Sequence, residues 1–157
     1  MRHKKVAKRQ IDQDKKYKSV LVAKFINYLM KNGKKSVAED VMYTALDLIV
    51  AKNQDALALF DKAIQNVGPK QEVKPRRVGG ASYQIPTEVR SDRKVAIAMR
   101  WIIDAAKARS NKEYHTFSKK LSAELMDASN ELGEAIKKRD SVHRMAQANR
   151  AFAHFKW

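Results

Sequence analysis

Histidines, paired carboxylates and a glycine–lysine turn are the places where this sequence could carry chemistry. His3, His115, His143 and His154 are dispersed, and none pairs with a carboxylate at ligand spacing, so they do not read as a metal set. His143, beside Arg144, reads as a helix-surface or nucleic-acid contact rather than a base. Glu124 with Asp127, and Glu131 with Glu134, are carboxylate pairs that read as ordinary solvated helix charges. Gly33-Lys34-Lys35-Ser36 superficially resembles a phosphate loop. However, Tyr28 stands where the earlier glycine is required, and Lys35 intervenes before the hydroxyl. The chain has no cysteine, which removes thiolate catalysis, disulfides and cysteine zinc sites together. No catalytic residue, metal or cofactor is expected.

What the sequence has instead is positive charge. Its 157 residues hold 33 Lys and Arg against 17 Asp and Glu, a net charge of +16. A charge of that size repels itself unless a polyanion neutralises it, and nucleic acid is the commonest one. An anionic membrane competes as a partner, but no apolar run approaches the roughly 20 residues that span a bilayer. The cations fall in three places: an N-terminal arm, a central segment with the Lys34-Lys35 turn, and the last helix (Lys137, Lys138, Arg139, Arg144, Arg150, Lys156). Arginine forks hold phosphates bidentately, while Tyr83, Trp101 and Trp157 are available to stack or to pack. Trp101 adjoins a buried stripe and reads as core, whereas Trp157 reads as exposed.

The elements that position these groups are mainly helical. Residues 1–18 are basic with few apolar groups and read as an arm that orders on its partner. The basic N-terminus lacks the apolar stretch of a secretory signal, and a cytoplasmic protein is expected. Leu21, Phe25 and Leu29, flanked by Val22, Ile26 and Met30, give a first helix ended by Asn32-Gly33. Ser36 and Glu39 predict a capping box for a second, with Ala38, Met42, Ala45 and Ile49 inward. Asp55 caps a third carrying Leu57, Phe60, Ile64 and Val67, and Gly68-Pro69 stops it. Helices four and five start near Ser91 and Phe117, and a sixth runs from about Glu134 past Arg150.

Between the third and fourth helices lies Val73 to Val89. Gly79-Gly80 takes the positive φ angles of a two-residue hairpin turn, and Pro75 and Pro86 cannot serve a central strand. A free-standing two-stranded ribbon over 72–89 is therefore predicted, with Val78 opposite Ala81, Arg76 opposite Tyr83 and Lys74 opposite Ile85. Arg77 then shares the other face with Ser82 and Gln84. The expected fold is a single mainly α domain of about six helices with one inserted β-hairpin arm.

Several strings in this frame resemble the family of bacterial small-subunit ribosomal protein seven. They are Glu72-Val73-Lys74, Arg76-Arg77-Val78-Gly79-Gly80, Tyr83-Gln84-Ile85-Pro86, Met99-Arg100-Trp101 and the run from Val142 to Trp157. Gly33-Lys34-Lys35-Ser36 belongs with them. The resemblance covers nearly the whole chain. Pro75, Ala56, Gln147 and Phe155-Lys156 depart from the usual residues. It implies a structural constituent of the small ribosomal subunit that binds the three-prime major domain of small-subunit rRNA and nucleates head assembly. The implied partners are that RNA, neighbouring small-subunit proteins, exit-site tRNA and mRNA, with no membrane and no small-molecule substrate.

The rRNA-binding set implied is Arg2, Lys4, Lys5, Lys8 and Arg9 in the arm, and Lys34 and Lys35 in the first turn. It continues with Lys74, Arg76 and Arg77 in the ribbon, and Arg93, Lys94, Arg100, Lys107 and Arg109 on the fourth helix. Gly79, Gly80, Ala81, Ser82 and Tyr83 of the ribbon, with His143 and Arg144, are placed near tRNA and mRNA. Two rivals from other classes remain at this point: an architectural DNA-binding protein with a basic β-arm, and a helical scaffold for acidic proteins.

Overall fold

Helix signals in the sequence translate into six α-helices among the described residues, 10–52 and 54–155 of the computed structural model. They are α1 (Val20–Leu29), α2 (Lys35–Val50), α3 (Ala56–Val67), α4 (Ser91–Ala108), α5 (Phe117–Ser129) and α6 (Glu134–Ala148). Strands β1 (Gln71–Val78) and β2 (Ala81–Glu88) form the hairpin, and a 3-10 helix covers Arg150–Phe155. The mainly α class with an inserted hairpin is as expected. The chain falls into two compact units, Met1–Asp40 and Val41–Trp157, with the boundary inside α2.

In the first unit the cations Arg2, Lys4, Lys5, Lys8 and Arg9 lie outside the described residues. Further along the same basic segment, the buried carboxylate of Asp14 accepts hydrogen bonds from the amides of Lys16 (3.0 Å) and Tyr17 (2.9 Å). The expected arm thus ends in a folded turn. Ser19 caps α1 through Val22 N–H, and Val22, Phe25 and Ile26 are the buried positions of that helix. The expected glycine cap is displaced. α1 stops at Leu29, and the left-handed pair Asn32 (φ 52°) and Gly33 (φ 72°) falls in the turn beyond it. α2 then starts at Lys35, so Ser36 lies within its first turn and the expected capping box gives way to a Lys35–Glu39 pair at 3.9 Å.

The second unit is organised around α5, which packs against α3, α4 and α6. Leu121, Leu125 and Ala128 supply its apolar face. Asp55 caps α3 as expected, its Oδ1 accepting from Leu57 N–H (3.0 Å) and Ala58 N–H (3.2 Å). α4 buries Ile97, Ala98, Met99, Ile102 and Ile103. Trp101 is a correction. It falls beside that stripe, half-buried, at one side of a groove also lined by Asp104, Glu134, Lys137 and Lys138.

The ribbon has the predicted register at every pair named above. Its turn uses φ 57° at Gly79 and 88° at Gly80, with nothing within 4 Å of where either Cβ would lie, so conformation and not space requires glycine. It is not free-standing, however. α6 and the 3-10 helix pack against it, and Ile85 is 1% exposed. The last helix is also shorter than expected, since α6 ends at Ala148 and Arg150–Phe155 tightens to 3-10 geometry. In a 3-10 helix residues i and i+3 fall on one side. Phe152 and Phe155 have that spacing, and both meet Tyr83.

Candidate nucleic-acid interface

Alternation along paired strands puts Lys74 and Arg76 on the ribbon face of Tyr83 and Ile85, and Arg77 on the other with Ser82. Lys74, Arg76, Arg77 and residues 79–82 are exposed, while Tyr83 is half-buried. The shaft of the ribbon is thus cationic on both faces, and its tip is small and uncharged.

At the ribbon root, Glu72 sits between two of the expected RNA ligands. Arg93 grips it with Nε (2.9 and 3.0 Å) and Nη2 (2.9 Å), and Lys74 Nζ lies 3.3 Å away. Burial works to raise the Glu72 carboxyl, but the hydrogen bonds and charges of Arg93 and Lys74 prevail and hold it below the usual glutamate range. One carboxylate against two cations leaves a net positive charge facing solvent. Lys94 is half-buried, its stem so near Gly68 that a Cβ there would lie 2.6 Å from Lys94 Cγ and Cε. A side chain at 68 would therefore displace the Lys94 stem, the φ of −64° being ordinary.

The remaining expected residues divide. Lys34, Arg100 and Arg144 are exposed, Arg100 Nε donating to Ala96 O at 3.2 Å. Lys35 is exposed beside Glu39, and Lys107 beside Asp104 at 3.5 Å. Arg109 is different. Its Nε donates to Glu124 Oε2 at 2.7 Å, Nη2 bonds Asp127, and Nη1 donates to Tyr114 Oη at 3.3 Å. The Glu124 side chain is fully buried, and its Oε1 accepts the Ala135 N–H (3.1 Å) in the first turn of α6. Burial works to lower the Arg109 guanidinium, but Asp127 and Glu124 hold it raised. Two expectations are corrected here: Glu124 and Asp127 are not a solvated pair, and Arg109 points into the fold rather than outward.

His143 also turns inward, half-buried, with Nε2 accepting the Lys70 N–H at 3.0 Å just before β1. Burial, and then the Arg139 charge, keep its imidazolium form disfavoured and its pKa below the ordinary value. Arg139 donates Nη1 to Asn66 O (2.8 Å), so this cation of the last helix ties α6 to the end of α3. Among the described residues no cluster of three His, Cys, Asp or Glu could hold a metal, and no helix is long and apolar enough to cross a membrane.

A cationic ribbon seated on a helical body limits the classes of partner, and comparison with known proteins decides the family. Residues 1–150 match the family described as Ribosomal protein S7p/S5e. The chain belongs to that family. It is 54% identical over 156 residues to the small ribosomal subunit protein uS7 of Thioalkalivibrio sulfidiphilus, covering 99% of both chains. The uS7 protein of Vibrio vulnificus is 52% identical over 157 residues, again with 99% of each covered. That of Xylella fastidiosa is 54% identical over 149 residues, or 95% of this chain and 94% of the relative.

A member of the S7p/S5e family is a structural ribosomal protein and not an enzyme, which sets aside the DNA-binding and scaffold readings. Within this S7p/S5e chain, sequence reasoning missed the ring contact of Lys138 and the buried ammonium of Lys120. Lys138 Nζ lies over the Trp101 ring, 5.7 Å from its centroid. Lys120, buried, donates Nζ to Arg109 O (2.5 Å) and Asn111 Oδ1 (2.6 Å). Periodicity does not single out Lys120, which lies about 100° around α5 from Leu121; its burial depends on acceptors 9 and 11 residues earlier in the chain.

Proposed function

We propose that this constituent of the small ribosomal subunit binds the three-prime major domain of small-subunit ribosomal RNA through its cations and starts assembly of the subunit head. Its ribbon and α6 lie beside exit-site tRNA and mRNA, and neighbouring small-subunit proteins complete its surroundings. The observation that carries the reading is the division of the ribbon. Its root is fixed by buried Ile85, its shaft exposes Lys74, Arg76 and Arg77, and residues 79–82 offer no charge at the tip. A charged shaft suits phosphates, and a bare tip suits close approach to a ligand that the RNA-bound body does not itself reach.

Two variants test this in reconstituted subunits. Arg76→Ala with Arg77→Ala removes phosphate forks and weakens RNA binding by up to about 1.5–3 kcal/mol per charged hydrogen bond lost. Excising Arg77, Val78, Ala81 and Ser82 keeps Gly79-Gly80 as the turn and Arg76 opposite Tyr83. It shortens the tip by roughly 7 Å and leaves the root intact. The shortened protein, compared with Arg77→Ala alone, enters subunits normally but retains exit-site tRNA less well. Loss of incorporation by a folded, tip-shortened protein contradicts the division. Footprinting on naked small-subunit RNA checks the body: protection outside the three-prime major domain contradicts the assignment.

A further inference from the structure

The ribbon is held at two levels. At the root, Ile85 is buried in β2, which packs against α6 and the 3-10 helix. Two residues nearer the tip, on the same face, Tyr83 packs against Phe152 (centroids 5.1 Å, planes at 47°) and Phe155 (5.4 Å, 35°). Phe155 is backed by His154, whose ring lies 4.0 Å away and whose Nδ1 is 2.8 Å from Ala151 O. Beyond Tyr83 the residues 79–82 are exposed. A two-stranded ribbon is marginal in water on its own, and tilted aromatic pairs at these separations are attractive beyond the area they cover.

We propose that Tyr83, Phe152 and Phe155 form an aromatic clasp by which the C-terminal 3-10 helix positions the ribbon. Residues 150–155 are then a positioning element for the tip, and Tyr83 serves as the clasp's ribbon half rather than as a stacking platform for a base. In the 3-10 segment that follows Asn149 the two phenylalanines, three residues apart, stand one above the other on the side that meets Tyr83. The effect on exit-site tRNA rests on the reading proposed above, whereas the clasp itself does not.

The test uses full-length protein with Phe152→Ala and Phe155→Ala combined, beside Phe152→Tyr, which keeps the ring, and Met145→Ala as an exposed control on α6. Because the chain has no cysteine, Ser82→Cys and Lys62→Cys provide unique positions for a spin-label pair from tip to body. With the double alanine variant, amide exchange in residues 81–84 rises about tenfold or more. The interlabel distance distribution broadens, while helix content is retained. Phe152→Tyr and Met145→Ala change neither. Unaltered exchange and an unaltered distribution in the double variant overturn the clasp. A broadened distribution with normal tRNA retention in subunits leaves the clasp standing and counts against the exit-site reading.

Discussion

Arg109→Met isolates the internal salt bridge that the helix surface conceals. The Arg109 side chain is 15% exposed and that of Glu124 is 0% exposed, so the substitution leaves a carboxylate buried with only the Ala135 amide as partner. Removing one member of a buried pair costs about 3–5 kcal/mol. Asp127 is 43% exposed and adds little, since water replaces its partner. For a domain of this size the loss lowers Tm by roughly 6–20 °C, read by circular dichroism at neutral pH. Adding Glu124→Gln to Arg109→Met removes the stranded charge but keeps an acceptor for Ala135 N–H, and recovers more than half of the loss. A Tm within about 2 °C of the parent for Arg109→Met refutes the reasoning, as does strict additivity of the two substitutions. RNA affinity supplies an independent check. At temperatures where Arg109→Met is folded, its affinity and salt dependence equal those of the parent, because the guanidinium faces inward.

Three further outcomes are expected. Because folding depresses His143, its contribution is complete above the ordinary imidazole pKa of 6.5 and is lost as pH falls through that value toward the lower folded one. Proton titration by NMR finds His143 below 6.5, and exchange of the Lys70 amide accelerates as it protonates. Asp55→Ala removes the two capping bonds of α3 and destabilises by about 1 kcal/mol in urea denaturation. Binding to small-subunit RNA weakens with salt, and Arg77→Ala lowers the log–log slope by roughly 0.7–0.9; an unchanged slope removes Arg77 from the phosphate contacts.

The ribbon was legible because its determinants are local. Gly79-Gly80 fixes the turn, the turn fixes the register, and Arg76 then faces Tyr83 without reference to anything distant. Asp55 and the Gly68-Pro69 stop were legible for the same reason. What escaped depends on partners far away in sequence. Glu124 and Asp127 have the spacing of any solvated pair, and the structure shows Glu124 buried against Arg109, 15 residues before it, while Asp127 stays partly exposed. His143 is turned inward by an amide 73 residues away. Trp101 sits at the edge of a stripe, where a shift of a few tens of degrees about the helix separates core from groove. The 3-10 segment was missed because the spacing of Phe152 and Phe155 also suits an α-helix.

Contact between Tyr83 and the 3-10 helix has a consequence for the order in which the molecule is made. The ribbon leaves the synthesising ribosome before its clasp, because Phe152 follows Tyr83 by about 70 residues. At roughly 5–20 residues per second this leaves the two strands without that support for about 3–14 s. During that interval they expose edges that could pair with another nascent chain. Lys74, Arg76, Arg77 and the two prolines, Pro75 and Pro86, lie along those edges, and charge and proline are what discourage such pairing. The residues that give the finished ribbon its charge also protect it while it is being made.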